Sequence, residues 1–170
     1  MKDEDRAART FGIIGLGKMG AALALQALEK GWRVAGFTLG GPSSELIDAG
    51  VMPAASIIEL KDLLPRPRKL LLYIPAGPAV DKLLAELALQ LEPGDIIADG
   101  GNSYWGDSIA RHRHLKSRGL HFIDLGTSGG VGGARHGACF MAGGDHEPIT
   151  QLAPLLNELA VPEGYVRTHS

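Results

Sequence analysis

An α/β fold, with a mostly parallel sheet covered by helices on both faces, is predicted by three features of the 170-residue sequence. Short apolar runs of strand length alternate with segments of helical length. These runs are apolar at consecutive positions rather than at every second one, as befits strands buried on both faces. A glycine-rich turn, Gly15-Leu16-Gly17-Lys18-Met19-Gly20, joins the first run to the first helix.

Taken in order, Phe11 to Leu16 is a strand and Lys18 to Lys30 a helix, closed by Gly31 as a left-handed cap. Trp32 to Thr38 is the second strand, ended by Gly40-Gly41-Pro42. Ser43 or Ser44 caps a short helix through Ala49, Val51 to Ala54 is a brief third strand, and Ser56 caps a helix to about Leu64. Pro65 and Pro67 mark a loop before the strand Leu70 to Ile74. The clearest helix follows: Val80, Leu83, Leu84, Leu87, Ala88 and Leu91 fall on one stripe, with Asp81, Lys82, Glu86 and Gln90 off it. Asp95 to Asp99 is a strand, Ser103 to Ser117 a polar helix and His121 to Leu125 a strand. Gly126 to Gly137 reads as a glycine-rich loop, Phe140 to Ala142 as a short strand and Glu147 to Ala160 as a last helix. The expected organisation is a charged N-terminal tail over residues 1–9, a domain over 10–160, and an aperiodic connection over 161–170.

Composition narrows the partners. A formal net charge of −2 provides no basic footprint for nucleic acid or an anionic membrane. No apolar run reaches the roughly 20 residues that span a bilayer, and the start, Met1-Lys2-Asp3-Glu4-Asp5-Arg6, has no signal-peptide core behind it. A single cysteine, Cys139, in the run Ala138-Cys139-Phe140-Met141, reads as a small buried hydrophobe and suits a reducing, cytoplasmic setting. The histidines have no metal-ligand spacing, so no metal is expected. Arg111, His112, Arg113, His114, Lys116 and Arg118 read as a solvated helix end, Trp32 and Trp105 as packing residues, and Arg135 as a surface ion-pair partner.

The glycine turn is the Rossmann-type phosphate cradle: Gly15 for the tight turn, Gly17 for close approach of a pyrophosphate, Gly20 for close helix–strand packing. Leu16, Lys18 and Met19 complete it, and the free amides of the helix start hold the anion. The second strand ends in Gly36-Phe37-Thr38-Leu39-Gly40, with neither an acid for a ribose hydroxyl nor an arginine for a 2′-phosphate. Thr38 is the candidate contact there, and both NAD and NADP stay open as the cofactor.

Two further segments name a family. Asp99-Gly100-Gly101-Asn102-Ser103-Tyr104 and Phe122-Ile123-Asp124-Leu125-Gly126-Thr127-Ser128-Gly129-Gly130-Val131 each follow a strand. With the glycine turn and Gly143-Gly144-Asp145, they resemble 6-phosphogluconate dehydrogenase over about Thr10 to Ala160. The resemblance implies that Asn102, Ser128, Gly129 and Gly130 contact 6-phosphogluconate, that Asn102 also touches the cofactor, and that Ile74-Pro75-Ala76 lines it. A helix cap, a flexible turn and a strand-ending turn are the plain alternatives for these three segments. The resemblance further implies NAD(P)-dependent oxidative decarboxylation to ribulose 5-phosphate, in the pentose phosphate pathway. It places the lysine base and glutamate acid in a following all-helical domain, which also supports a homodimer. No segment here matches that lysine, so the chain is expected to bind cofactor without turnover. A 3-hydroxyisobutyrate-type dehydrogenase, which shares the glycine turn, and a stand-alone nucleotide-binding module are the alternatives.

Overall fold

The computed structural model describes residues 7–168. The expected charged start, Met1 to Arg6, and the last two residues of the expected connection lie outside them. Eight strands form one sheet in the order β3-β2-β1-β4-β5-β6-β7-β8: β1 Thr10–Ile14, β2 Arg33–Phe37, β3 Met52–Pro53, β4 Lys69–Leu72, β5 Ile96–Asp99, β6 His121–Ser128, β7 Ala138–Gly143 and β8 Ala160–Thr168. Strands β1 to β6 are parallel, β7 is antiparallel to β6, and β8 runs parallel to β7. The helices are α1 Lys18–Glu29, α2 Ser44–Asp48, α3 Ile57–Asp62, α4 Pro78–Gln90, α5 Trp105–Lys116, α6 Gly130–His136 and α7 His146–Leu159. The doubly wound expectation therefore holds.

The consecutive apolar residues of each strand point to opposite faces and feed two separate cores. Leu71, Ile96 and Ala98 pack with Leu23 and Ala27 of α1 and Leu152, Leu155 and Leu156 of α7. Leu70, Leu72 and Ile97 pack on the other face with Leu60 of α3, Val80, Leu84 and Leu87 of α4, and Leu115 of α5. Capping is as expected at two helices: Ser43 Oγ accepts from Leu46 N–H and Ser56 Oγ from Glu59 N–H. Gly31 takes the left-handed conformation (φ 79°) behind α1.

Three expectations are corrected. The segment Gly126 to Gly137 is not a loop: β6 continues through Ser128, and Gly130–His136 is helical. Glycines disfavour a helix by about 1 kcal/mol each, but tertiary packing overrides that here. Ala134 is wholly buried, α6 lies along α1, and Arg135 makes a paired contact with Glu29. The aperiodic stretch after residue 160 is paired with β7 as far as Thr168, across an irregularity between Ala138 and Phe140. Such a break disrupts the period-2 pattern from which strands are read. Cys139 is half-buried rather than buried, because its neighbours Ala138 and Phe140 take the inward positions of β7.

The register leaves the top of the sheet uneven. Leu72 of β4 is level with Asp99 of β5, which is level with Asp124 of β6; Asp124 pairs with Gly143 and that residue with Thr168. Strand β6 and its partners thus run past the point where β4 and β5 stop.

Candidate functional site

Each parallel strand ends at the same edge of the sheet, so the loops after β1, β2, β4, β5 and β6 share one rim, where ligands of open α/β sheets bind. At β1 the backbone itself dictates glycine. Gly15 has φ 94°, and a Cβ on it would run into the Tyr73 carbonyl oxygen. A Cβ on Gly20 would run into the carbonyl oxygen of Gly15, so α1 can lie this close to β1 only with glycine there. Gly17 differs: it is exposed, and a Cβ on it would meet nothing within 4 Å. It is open on the side from which a ligand would come.

The first turn of α1 carries no acidic residue and no side-chain cap. Its leading amides have no partner within the helix and sit at the positive end of its dipole. This combination fits a diphosphate. Leu16 is half-buried and packs under Gly36, where a Cβ would approach its Cδ1 to 2.7 Å; Met19 is half-buried and Lys18 exposed.

The end of β2 is uncharged. Thr38 is half-buried and its carbonyl accepts from Gly41 N–H at 3.0 Å, closing a turn through Gly40 and Gly41, both left-handed, with Leu39 92% exposed at its tip. Arg33 sits at the opposite end of β2, level with Thr10, and its Nη2 points to Met52 Sδ. It takes no part in the rim.

The loops after β4 and β5 are built against each other. A Cβ on Gly100 would lie 2.5 Å from the Tyr73 ring, and one on Gly101 would run into the Ile74 carbonyl oxygen. Ile74 is half-buried, with Pro75 and Ala76 exposed on the rim. Asn102 is exposed and held at φ 61°, a left-handed conformation that asparagine tolerates better than most residues. The buried Asp99 grips the chain on both sides of it. Oδ1 accepts from Gly101 N–H at 3.0 Å and Oδ2 from Ser103 Oγ at 2.6 Å. Ser103 is thereby taken up, and α5 starts later than the sequence suggests, at Trp105, with Tyr104 as an N-cap that makes no side-chain bond. The helix-cap alternative for Asn102-Ser103 does not hold.

At the end of β6, Ser128, Gly129 and Gly130 are all exposed, and the two glycines have φ 112° and 59°. Thr127 Oγ1 donates to the Leu125 carbonyl and accepts from the Tyr73 hydroxyl at 2.9 Å. Burial pushes the Tyr73 hydroxyl well above its ordinary pKa, so it remains a donor. That bond ties the β6 loop to the β4 loop across the end of β5.

The sequence groups Arg111 with the solvated basic run, and the structure corrects this. It is 6% exposed, on the inner stripe Ser108, Arg111, Leu115 of α5, and it bonds to the Asp81, Ser103 and Gly77 segments beneath the rim. The three- and four-residue spacing of that stripe was the signal available for it. His112 and Lys116 pair with Asp145 at 3.3 and 2.9 Å. Trp32 packs as expected, edge-on to Phe11, with its Nε1 donating to Glu158. Trp105 does not: it is 64% exposed and leans on Tyr104. A cavity of about 400 Å³ lies against α5 and is lined by Trp105, Ile109, His112, Asp124, Gly143 and Thr168, among others. It includes none of the rim residues named above. Burial raises the Asp124 carboxyl there, against the opposing pull of the Ser108 hydroxyl.

A parallel sheet with an open glycine turn and four further loops on one edge defines a dinucleotide-binding domain of the Rossmann type. Within that class the chain belongs to one family: residues 10–166 match the model described as the NAD binding domain of 6-phosphogluconate dehydrogenase. Among curated relatives, YqeC of Bacillus subtilis, provisionally named a 6-phosphogluconate dehydrogenase, is 40% identical over 92% of this chain and 52% of its own length. The decarboxylating 6-phosphogluconate dehydrogenase of Synechocystis is 39% identical over 89% of this chain and 33% of its own. Among solved structures, 6-phosphogluconate dehydrogenase of Plasmodium falciparum, studied with NADP+ and with 6-phosphogluconate, superposes with a TM-score of 0.85. That match has 30% identity and covers 93% of this chain and 36% of that one. The 3-hydroxyisobutyrate dehydrogenase of Mycobacterium tuberculosis gives 0.81 at 25% identity, covering 95% of this chain and 55% of that one. The chain therefore spans between a third and just over half of these proteins. Among the described residues, no helix is long and apolar enough to cross a membrane.

Proposed function

We propose that this chain binds NAD or NADP across the rim and presents it to a phosphorylated sugar acid, 6-phosphogluconate, as the coenzyme-binding part of an oxidative decarboxylase. The observation that carries this reading is the division of labour among the glycines: Gly15 and Gly20 are closed by backbone, while Gly17 is open above unpaired helix amides. The diphosphate rests on Gly15 to Gly20, the adenosine ribose against Thr38, and the nicotinamide beside Ile74, Pro75, Ala76 and Asn102. When bound, the nicotinamide supplies the acceptor for a hydride. Asn102, with both a donor and an acceptor on a short stem, orients the substrate hydroxyl beside it. The Ser128 hydroxyl and the amides of Gly129 and Gly130 take the sugar-acid carboxylate, where bare backbone permits close approach.

The relatives named as decarboxylating 6-phosphogluconate dehydrogenases support that substrate. The base and acid of the reaction, and the homodimer, belong in this proposal to a further domain. Calorimetric titration with NAD+ and NADP+ tests the cofactor half. Titration of 6-phosphogluconate onto the loaded chain, with 3-hydroxyisobutyrate as control, tests the substrate half. Heat from the sugar acid alone, abolished by Ser128→Ala, is the expected result; a preference for 3-hydroxyisobutyrate overturns it.

A further inference from the structure

We propose that Arg111 is a positioning residue that clamps the cofactor-lining turn after β4 to the Asn102 loop after β5, so that both move as one unit. The proposal rests on the cofactor reading above for its binding readout only. One guanidinium reaches both segments. Toward the β4 side, Nε donates to Asp81 Oδ1 at 2.7 Å and Nη2 to the Gly77 carbonyl at 3.3 Å. Gly77 and Asp81 are the N-cap and first turn of α4, the point at which the Ile74-Pro75-Ala76 turn becomes helix. Toward the β5 side, Nη1 donates to Ser103 Oγ at 3.0 Å and lies 3.6 Å from Asp99 Oδ2. Ser103 follows Asn102 directly, and Asp99 holds both of its neighbours.

The planar fork of arginine can serve these directions at once; a lysine ammonium, a single point charge, cannot. The two loops also touch through Gly101 and the Ile74 carbonyl, so displacement of one is passed to the other. The strained φ of Asn102 persists only if its surroundings over-determine it. The Asp99–Ser103–Arg111 chain is what does so. The glycine cradle shares none of this network's hydrogen bonds, although Gly15 packs against Tyr73 and Ile74. The switch point between β1 and β4 assigns the adenosine to the β2 side, so the nicotinamide falls on the clamped side.

The test compares two ligands and two loops on the 170-residue chain. For Arg111→Met, NAD+ and NADP+ affinity falls about two- to thirty-fold, the range of coupling through such networks, while ADP-ribose, which lacks the nicotinamide, keeps its affinity. Amide hydrogen exchange in the free chain rises together at residues 74–77 and 100–103, and not at 17–20. Arg111→Lys restores charge beside Asp99 and recovers thermal stability, yet leaves the nicotinamide-specific loss in place. A merely structural arginine instead predicts that stability and binding recover together. Asp81→Asn, at an exposed carboxylate, keeps the fold and gives the same pattern at smaller size. Equal loss of ADP-ribose, or faster exchange in one loop alone, overturns the clamp. If the unaltered chain binds none of the nucleotides, the cofactor reading fails, and the exchange comparison still decides the clamp.

Discussion

Replacing Gly17 by alanine adds one methyl group at a position where the protein itself leaves space, and this makes it a clean probe of the cradle. The backbone of Gly17 is extended (φ −72°, ψ −165°), a conformation open to alanine, and nothing lies within 4 Å of the added carbon. Alanine is a poorer N-cap than glycine by roughly 0.5–1 kcal/mol, and it recovers about 0.4–1 kcal/mol by restricting the unfolded chain. These effects offset each other, so Tm should move by no more than a degree or two. Binding should not escape. The methyl stands where phosphate oxygens must reach the first amides of α1, and each charge-assisted bond lost there is worth about 1.5–3 kcal/mol. At 1.4 kcal/mol per decade, that is roughly a 10- to 150-fold rise in Kd. Calorimetric titration with NAD+ and NADP+, paired with scanning calorimetry of the free proteins, reads both quantities. Wild-type affinity in Gly17→Ala would falsify the assignment of the diphosphate to this turn.

The remaining predictions separate other parts of the molecule. Gly20→Ala must push α1 off the Gly15 carbonyl, which as backbone cannot yield. Overpacking of about 1–3 kcal/mol should dominate the helix-propensity gain of up to 1 kcal/mol. A Tm fall of several degrees, up to roughly 12 °C, is expected by calorimetry; an unchanged Tm contradicts the packing role. Asp124 has a folded pKa above its ordinary value of 3.8, chiefly through burial, so its charged form opposes folding above that pH and the penalty disappears below it. Asp124→Asn should therefore raise Tm at neutral pH, with the gain closing as the pH falls below the ordinary carboxylate range; a pH-independent gain argues against burial as the cause. Arg135→Gln should leave cofactor affinity and Tm unchanged, since its partner Glu29 is a solvent-exposed carboxylate of α1. A tenfold affinity loss would place Arg135 in the site instead.

Much of this architecture is legible in the sequence because the strands are written as uninterrupted apolar runs and the helices as stripes. Leu70 to Leu72 and Ile96 to Ala98 feed both cores, which is why they show no alternation. The glycine turn is legible because steric necessity, rather than preference, sets Gly15 and Gly20. What is not legible depends on distant partners. Helix α6 is written in glycine and exists through its packing on α1, with Ala134 wholly buried. Strand β8 needs α7 to return the chain to β7, and the irregular register hides its pattern. Arg111 is masked by charged neighbours that do face water, and only the helical spacing with Ser108 and Leu115 distinguishes it. Trp105 misleads in the opposite direction, as a large apolar side chain left on the surface.

The uneven top of the sheet has a consequence for the chemistry above it. From Asp124 to Ser128, β6 climbs four residues past the level of Asp99, about 13 Å at 3.3 Å per residue. With β7 and β8 beside it, this overhang stands as a parapet along one flank of the proposed nicotinamide site, with Ser128 at its crest. The opposite flank, over Gly17, Pro75 and Ala76, is low and exposed. Under the proposed function, a reaction that must keep water away would find one wall already built by β6, and the other would have to come from outside these loops.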